Sequence, residues 1–116
     1  MIEVLENSAQ RLRLRLGGWG VGAGICTFDR ENNLADFVRL ALRVPYRRRR
    51  IAFADVHSVV VRRRKRLKMY SPMVEVRSGR SISLGDYTKE EAMEAARAIR
   101  DFLATQACDL PKKRDG

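Results

Sequence analysis

The chain is poor in the residues that build most chemical sites. It holds one histidine and two cysteines in 116 residues. His57 alone cannot assemble a zinc site of ordinary His–His or Cys–His spacing. Cys26 and Cys108 stand far apart, outside any C-x-x-C arrangement, and read as reduced thiols. Long apolar runs are missing as well: the longest weakly polar stretch, LGGWGVGAGICTF, spans Leu16 to Phe28 and includes five glycines. A bilayer-crossing helix needs about 20 apolar residues. The opening MIEVLENSAQ is acidic and polar, without the pattern of a secretory signal. The expectation is a cytoplasmic chain, attached at most peripherally to the inner membrane face.

Catalytic and nucleotide-binding signatures are also lacking. Gly17, Gly18, Gly20, Gly22 and Gly24 fit G-x-G-x-x-G in no register, and no Lys-Ser/Thr pair follows to make a Walker loop. The stretch reads instead as a bent or flexible strand connection that lets another backbone approach. Trp19 within it either covers the core or stands out as an anchor for a partner or membrane, and is a candidate contact residue. Ser58 follows His57, but consecutive strand residues face opposite ways, and Asp55 shares the histidine's face by parity alone. Asp29, Asp36, Asp55 and Glu75 form no recognisable acid/base pair. No enzyme, metal, cofactor or small-molecule substrate is expected.

What the chain does have is unevenly placed positive charge. Residues 1–46 hold six Arg against five acids, and residues 81–116 hold six basic residues against seven acidic ones. Residues 47–80 hold twelve Lys/Arg against two acids, so this third alone accounts for the net charge of +10. A local field of this kind points to a basic face rather than to general solubility.

Hydrophobic periodicity gives the frame for that face. QRLRLRL alternates Leu12, Leu14 and Leu16 with Arg11, Arg13 and Arg15, the pattern of a strand with one wet face. ICTFDR is a second short strand, and Asn32-Asn33 supply a turn. ADFVRLALRV predicts Val38, Leu40, Leu42 and Val44 inward, with Pro45 ending the strand. RRIAFADVHSVVVRRR reads as two strands bent near Ala54-Asp55, with Ile51, Phe53, Val59 and Val61 inward. YSPMVEVRSGRSISLGDY is a hairpin turning at Ser78-Gly79, with Pro72 marking an edge or bulge. The period then changes: Ala92, Ala95, Ala96, Ile99, Phe102 and Leu103 recur at helical spacing behind a Thr88/Glu91 capping box, with Tyr87 and Ala92 as a staple. The expected class is mainly β with one C-terminal helix at about 88–104 (α+β). A single domain would fill residues 9–105, between a flexible head at 1–8 and a flexible basic tail at 106–116.

FDR, RRIAFADVHSVVV, VEVRSGRSISLG and YTKEEAMEAARAIRDFL, in that order, resemble the bacterial pleckstrin-homology-like (PH-like) domains over roughly residues 25–104. The resemblance implies a seven-strand curved roll or barrel capped by the helix, serving as a binding module. The phosphoinositide pattern of the eukaryotic relatives is missing, because GGWGVGAG carries no basic residue.

The expected contacts are therefore Arg47, Arg48, Arg49, Arg50, Arg62, Arg63, Arg64, Lys65, Arg66 and Lys68, gathered at one rim of the roll with Trp19. Their expected partner is an acidic protein surface or an anionic membrane. The alternative is sequence-nonspecific binding of DNA or RNA by the same residues. It ranks lower because few aromatics accompany the charge and no nucleic-acid motif is present.

Overall fold

In the computed structural model, which describes residues 2–17, 23–41, 44–64 and 68–115 (residues 41, 46 and 106–115 by backbone alone), two antiparallel sheets are followed by one helix. The first sheet runs in chain order: β1 (Glu3–Asn7), β2 (Arg11–Leu16), β3 (Gly24–Asp29), β4 (Leu34–Ala41) and β5 (Val44–Ala52). A 3-10 turn, Phe53–Asp55, carries the chain to the second sheet, β6 (Val56–Arg64), β7 (Met69–Val76) and β8 (Ser81–Ser83). The helix α1 (Lys89–Asp115) packs on β2, β6 and β7. The expected class, mainly β with a C-terminal helix, is the one observed. There is one strand more than expected, because residues 3–7 pair along β2.

Period two builds the core of β2 as expected: Leu12, Leu14 and Leu16 are buried while Arg13 is exposed. Phe28 lies at the centre, wholly buried, edge-on to Phe37 and Phe53, and Phe53 is in turn edge-on to Phe102 of α1. Ala92, Ala95 and Ala96 are fully buried along the helix, small enough to bring its axis close to the sheets.

The reading of β4 needs correcting. Its core face is Ala35 and Phe37, with Val38 on the opposite, half-buried side. The register shifts between Arg39 and Leu40, where the extra residue is Tyr46 of β5, and Leu40 is buried on Val38's side, outside the main core cluster. The strand keeps one period but carries apolar residues on both faces, so alternation alone does not say which face is inward. Val44 is 63% exposed, and Leu42 lies outside the described residues. Pro45 does not end a strand; it lies inside β5, opposite Leu40. An edge strand tolerates proline, because only one side of it must donate to a ladder. Pro72 is also within a strand, β7, where its carbonyl accepts from Leu84 N–H; beyond Leu84 the chain rejoins β7 one residue out of register, with Tyr87 and Tyr70 exchanging backbone hydrogen bonds.

The Asp-Arg pair ending β3 has a structural role on both sides. Asp29 is buried and accepts from the Asn32 side chain at 2.8 Å, the Asn32 backbone at 3.1 Å and Arg11 Nε at 3.2 Å. The turn it closes leaves Asn33 at φ 51, and Asn33 Oδ1 accepts from Ala54 N–H at 2.9 Å. Arg30 donates to the carbonyls of Ala9 and Phe102, and its guanidinium sits 4.0 Å from the Phe102 ring centroid. It thereby ties α1 to the first sheet.

Asn32's hydrogen bonds, side chain first, and the Arg11 guanidinium hold the Asp29 carboxyl below the usual carboxylate range, against the opposing effect of its burial. A depressed folded-state pKa contributes stability that is complete above the unfolded value and is lost as pH falls through the folded one. Urea unfolding of the native chain and of Asp29→Asn should therefore differ by a constant amount above about pH 5 and converge in stronger acid. A gap that stays the same down to the acid limit would contradict this account.

Candidate basic docking surface

β5 is the last strand of its sheet and carries four successive arginines. Among the described residues it pairs with β4 alone, with Arg50 opposite Asp36, Arg49 opposite Phe37, Arg48 opposite Val38 and Arg47 opposite Arg39. Residues opposite one another share a face, so the four cations divide into two pairs. Arg48 and Arg50 lie on the outer face beside Asp36, whose Oδ1 is 3.5 Å from Arg48 Nε and 3.8 Å from Arg50 Nε. Arg47 and Arg49 lie on the inner face with Arg39 and Phe37, and these, together with part of Arg48, line a cleft of about 280 Å³ that Ile82 and Ser83 also border. All four of the β5 arginines are exposed.

The inner pair is electrostatically unbalanced. Arg39 and Arg47 are like charges directly opposite, an arrangement that destabilises a strand pair by up to about 1 kcal/mol. Arg39 donates to the Ser83 carbonyl at 3.4 Å. Among the described residues, Arg47 and Arg49 take part in no ion pair.

The second run stands in the other sheet. Arg62, Arg63 and Arg64 are exposed at the end of β6, and Arg64 Nε lies 3.8 Å from Asp86 Oδ1. Lys68 is exposed at the start of the return strand, at φ 50. Lys65, Arg66 and Trp19 lie outside the described residues. Both runs border the short segment Ser83–Asp86: the first through Arg39, the strand partner of Arg47, and the second through Arg64. Arg39 and Phe37 were missed as site residues. Taking Pro45 as a terminator hides the β4–β5 hairpin, and with it the register that sets Arg39 against Arg47.

Other groups with chemical potential have structural partners or lie apart. Ser58 Oγ donates to Glu75 Oε1 at 2.6 Å, while His57 is exposed beside it in sequence. Cys26 is a free, buried thiol whose pKa desolvation pushes up to about 12, which leaves it unreactive. Gly17 N–H donates to Glu91 Oε2 at 2.8 Å, so the glycine-rich stretch begins with a close backbone approach to the helix start. Thr88 Oγ1 accepts from Glu91 N–H at 3.2 Å, the capping contact the sequence predicts. Among the described residues no three His, Cys, Asp or Glu side chains gather as a metal site. None of the described helical segments is long and apolar enough to cross a membrane. Compared with protein-family models and with curated proteins, the chain matches none.

Proposed function

We propose that this chain is a non-enzymatic, PH-like binding module that docks through its arginine-rich surface onto an acidic protein surface or an anionic membrane. β2 to β8 supply the seven strands of such a roll and α1 its cap, with β1 added at the free side of β2. The observation that carries the reading is the charge on β5: four exposed arginines on one edge strand, with Asp36 the only acid paired to them among the described residues. A strand face kept merely soluble would mix signs, since like charges side by side repel. Clustered exposed cations also steer an anionic partner and accelerate encounter. Near an anionic leaflet each exposed Arg is worth about 1 kcal/mol.

The test compares retention on anionic vesicles, on an acidic polypeptide and on duplex and single-stranded DNA, each at low and high salt. Two variants accompany the native chain: Arg47, Arg48 and Arg49→Ser, and Arg62, Arg63 and Arg64→Ser. The first should weaken vesicle or polypeptide binding at least about tenfold at low salt, with the difference shrinking as salt screens it. Unchanged binding in both variants would reduce the arginines to a solvated face. Retention on nucleic acid alone, with a log–log salt slope of about −0.9 for each phosphate neutralised, would favour DNA or RNA as the partner.

A further inference from the structure

We infer that the partner enters as an extended acidic segment of a protein, added as a new strand to the free edge of β5. The inference rests on the docking role just proposed and adds the mode of contact and the chemistry of the occupant. β5 spans nine residues, Val44–Ala52, and among the described residues has no strand neighbour on its far side. Phe53 N–H donates to the Asn33 carbonyl at 3.1 Å, continuing the register that sets Leu34 opposite Ala52. Antiparallel pairing alternates, so this bond fixes which β5 residues face β4 and turns the N–H and C=O of Arg48, Arg50 and Ala52 toward the open side. These groups form a template for another strand.

The side chains say what kind of strand. A segment laid along β5 would place alternate residues on its two faces. On the outer face they would meet Arg48 and Arg50; on the inner face, Arg47 and Arg49 at the mouth of the cleft floored by Phe37. Cations on both faces of one edge strand select carboxylates at successive positions, not only at every second one. Carboxylates also match the guanidinium fork geometrically. The opposed Arg39 and Arg47 give the inner face a reason to take an anion, since one carboxylate between them converts a repulsion into two attractions. A flat membrane surface could use the charge but not the main-chain groups. A peptide uses both.

The test uses an eight-residue Glu/Thr peptide as probe, measured by fluorescence anisotropy against the full chain, with two N-methylated forms of it. One form carries methyl groups on the odd amides, the other on the even amides; charge and composition are the same in both. Strand addition predicts asymmetry: one form loses about tenfold or more in affinity and the other stays within about twofold, because only alternate amides face β5. On the protein side, Arg48→Pro should weaken the probe about tenfold beyond Arg48→Ala. Proline removes the outward N–H while remaining acceptable on an edge strand. Circular dichroism and the urea midpoint confirm that both variants are folded.

Equal behaviour of the two methylated peptides, or of the proline and alanine variants, would overturn strand addition while leaving a charge-based docking role intact. So would anionic vesicles binding through these arginines with no binding of the parent peptide. Binding of peptide and vesicles alike that ignores Arg47, Arg48 and Arg49→Ser would remove both the docking role and the strand mode.

Discussion

Gly85→Ala should destabilise the fold by about 3 kcal/mol or more, out of proportion to one added methyl group. Gly85 has φ 118, a conformation that L residues avoid, and an added Cβ would lie 2.7 Å from Tyr87 Cζ and press on the hydroxyl. The ring has little room to retreat. Its hydroxyl donates to the Leu84 carbonyl at 2.6 Å, and its other edge rests on Gly17, where a Cβ would come within 2.9 Å of Cε1. Burial holds the phenol protonated far above its usual range, so it stays a donor at any ordinary pH. Gly79 is the control: at φ 98 it shares the backbone demand, but nothing lies within 4 Å of an added Cβ. Gly79→Ala should therefore cost about 1 kcal/mol, the strain alone. Urea midpoints measure both. Equal losses at the two glycines would mean that the tyrosine is not the obstacle.

The same tyrosine shows what the sequence could and could not reveal. Tyr87 is legible as a staple residue ahead of a capped helix, and the helix starts where Thr88 says it should. That Tyr87 is also gripped between Gly17 and Gly85, seventy residues apart in part, depends on tertiary approach and leaves no periodic trace. Alternation found the inward leucines of β2 because every residue there obeys one period. It failed in β4, where Ala35 and Phe37 on one face and Val38 and Leu40 on the other are all apolar, so period two could not tell the core face from its opposite. Composition located the charge in the chain but not on the surface. The split of Arg47–Arg50 between two faces, and the recruitment of Arg39 beside them, follow from cross-strand register, which pairs residues through a hairpin that Pro45 disguised.

The surface depends on the interior through one short link. Arg49 is opposite Phe37, and Phe37 packs edge-on against Phe28, with ring centroids 5.7 Å apart at 75°. Phe28 also meets Phe53, at 6.5 Å, and Phe53 meets Phe102 at 6.0 Å, so one chain of rings joins the first sheet, the crossover turn and the helix. Phe28→Ala should cost about 4 kcal/mol, because the lost contacts lie on several sides of a wholly buried ring and rigid neighbours cannot all collapse into the space. Phe28→Leu, which retains an apolar side chain of nearly the same reach, should lose less than half as much. If Phe28 acts through Phe37 on the cleft floor, the alanine variant should also weaken the acidic probe under conditions where it remains folded, whereas Phe102→Leu, at the far end of the ring chain, should lower the unfolding midpoint and leave probe affinity within about twofold. Equal affinity in native and Phe28→Ala proteins would show that the arginines of β5 are positioned by their own strand pairing and need no support from the rings beneath.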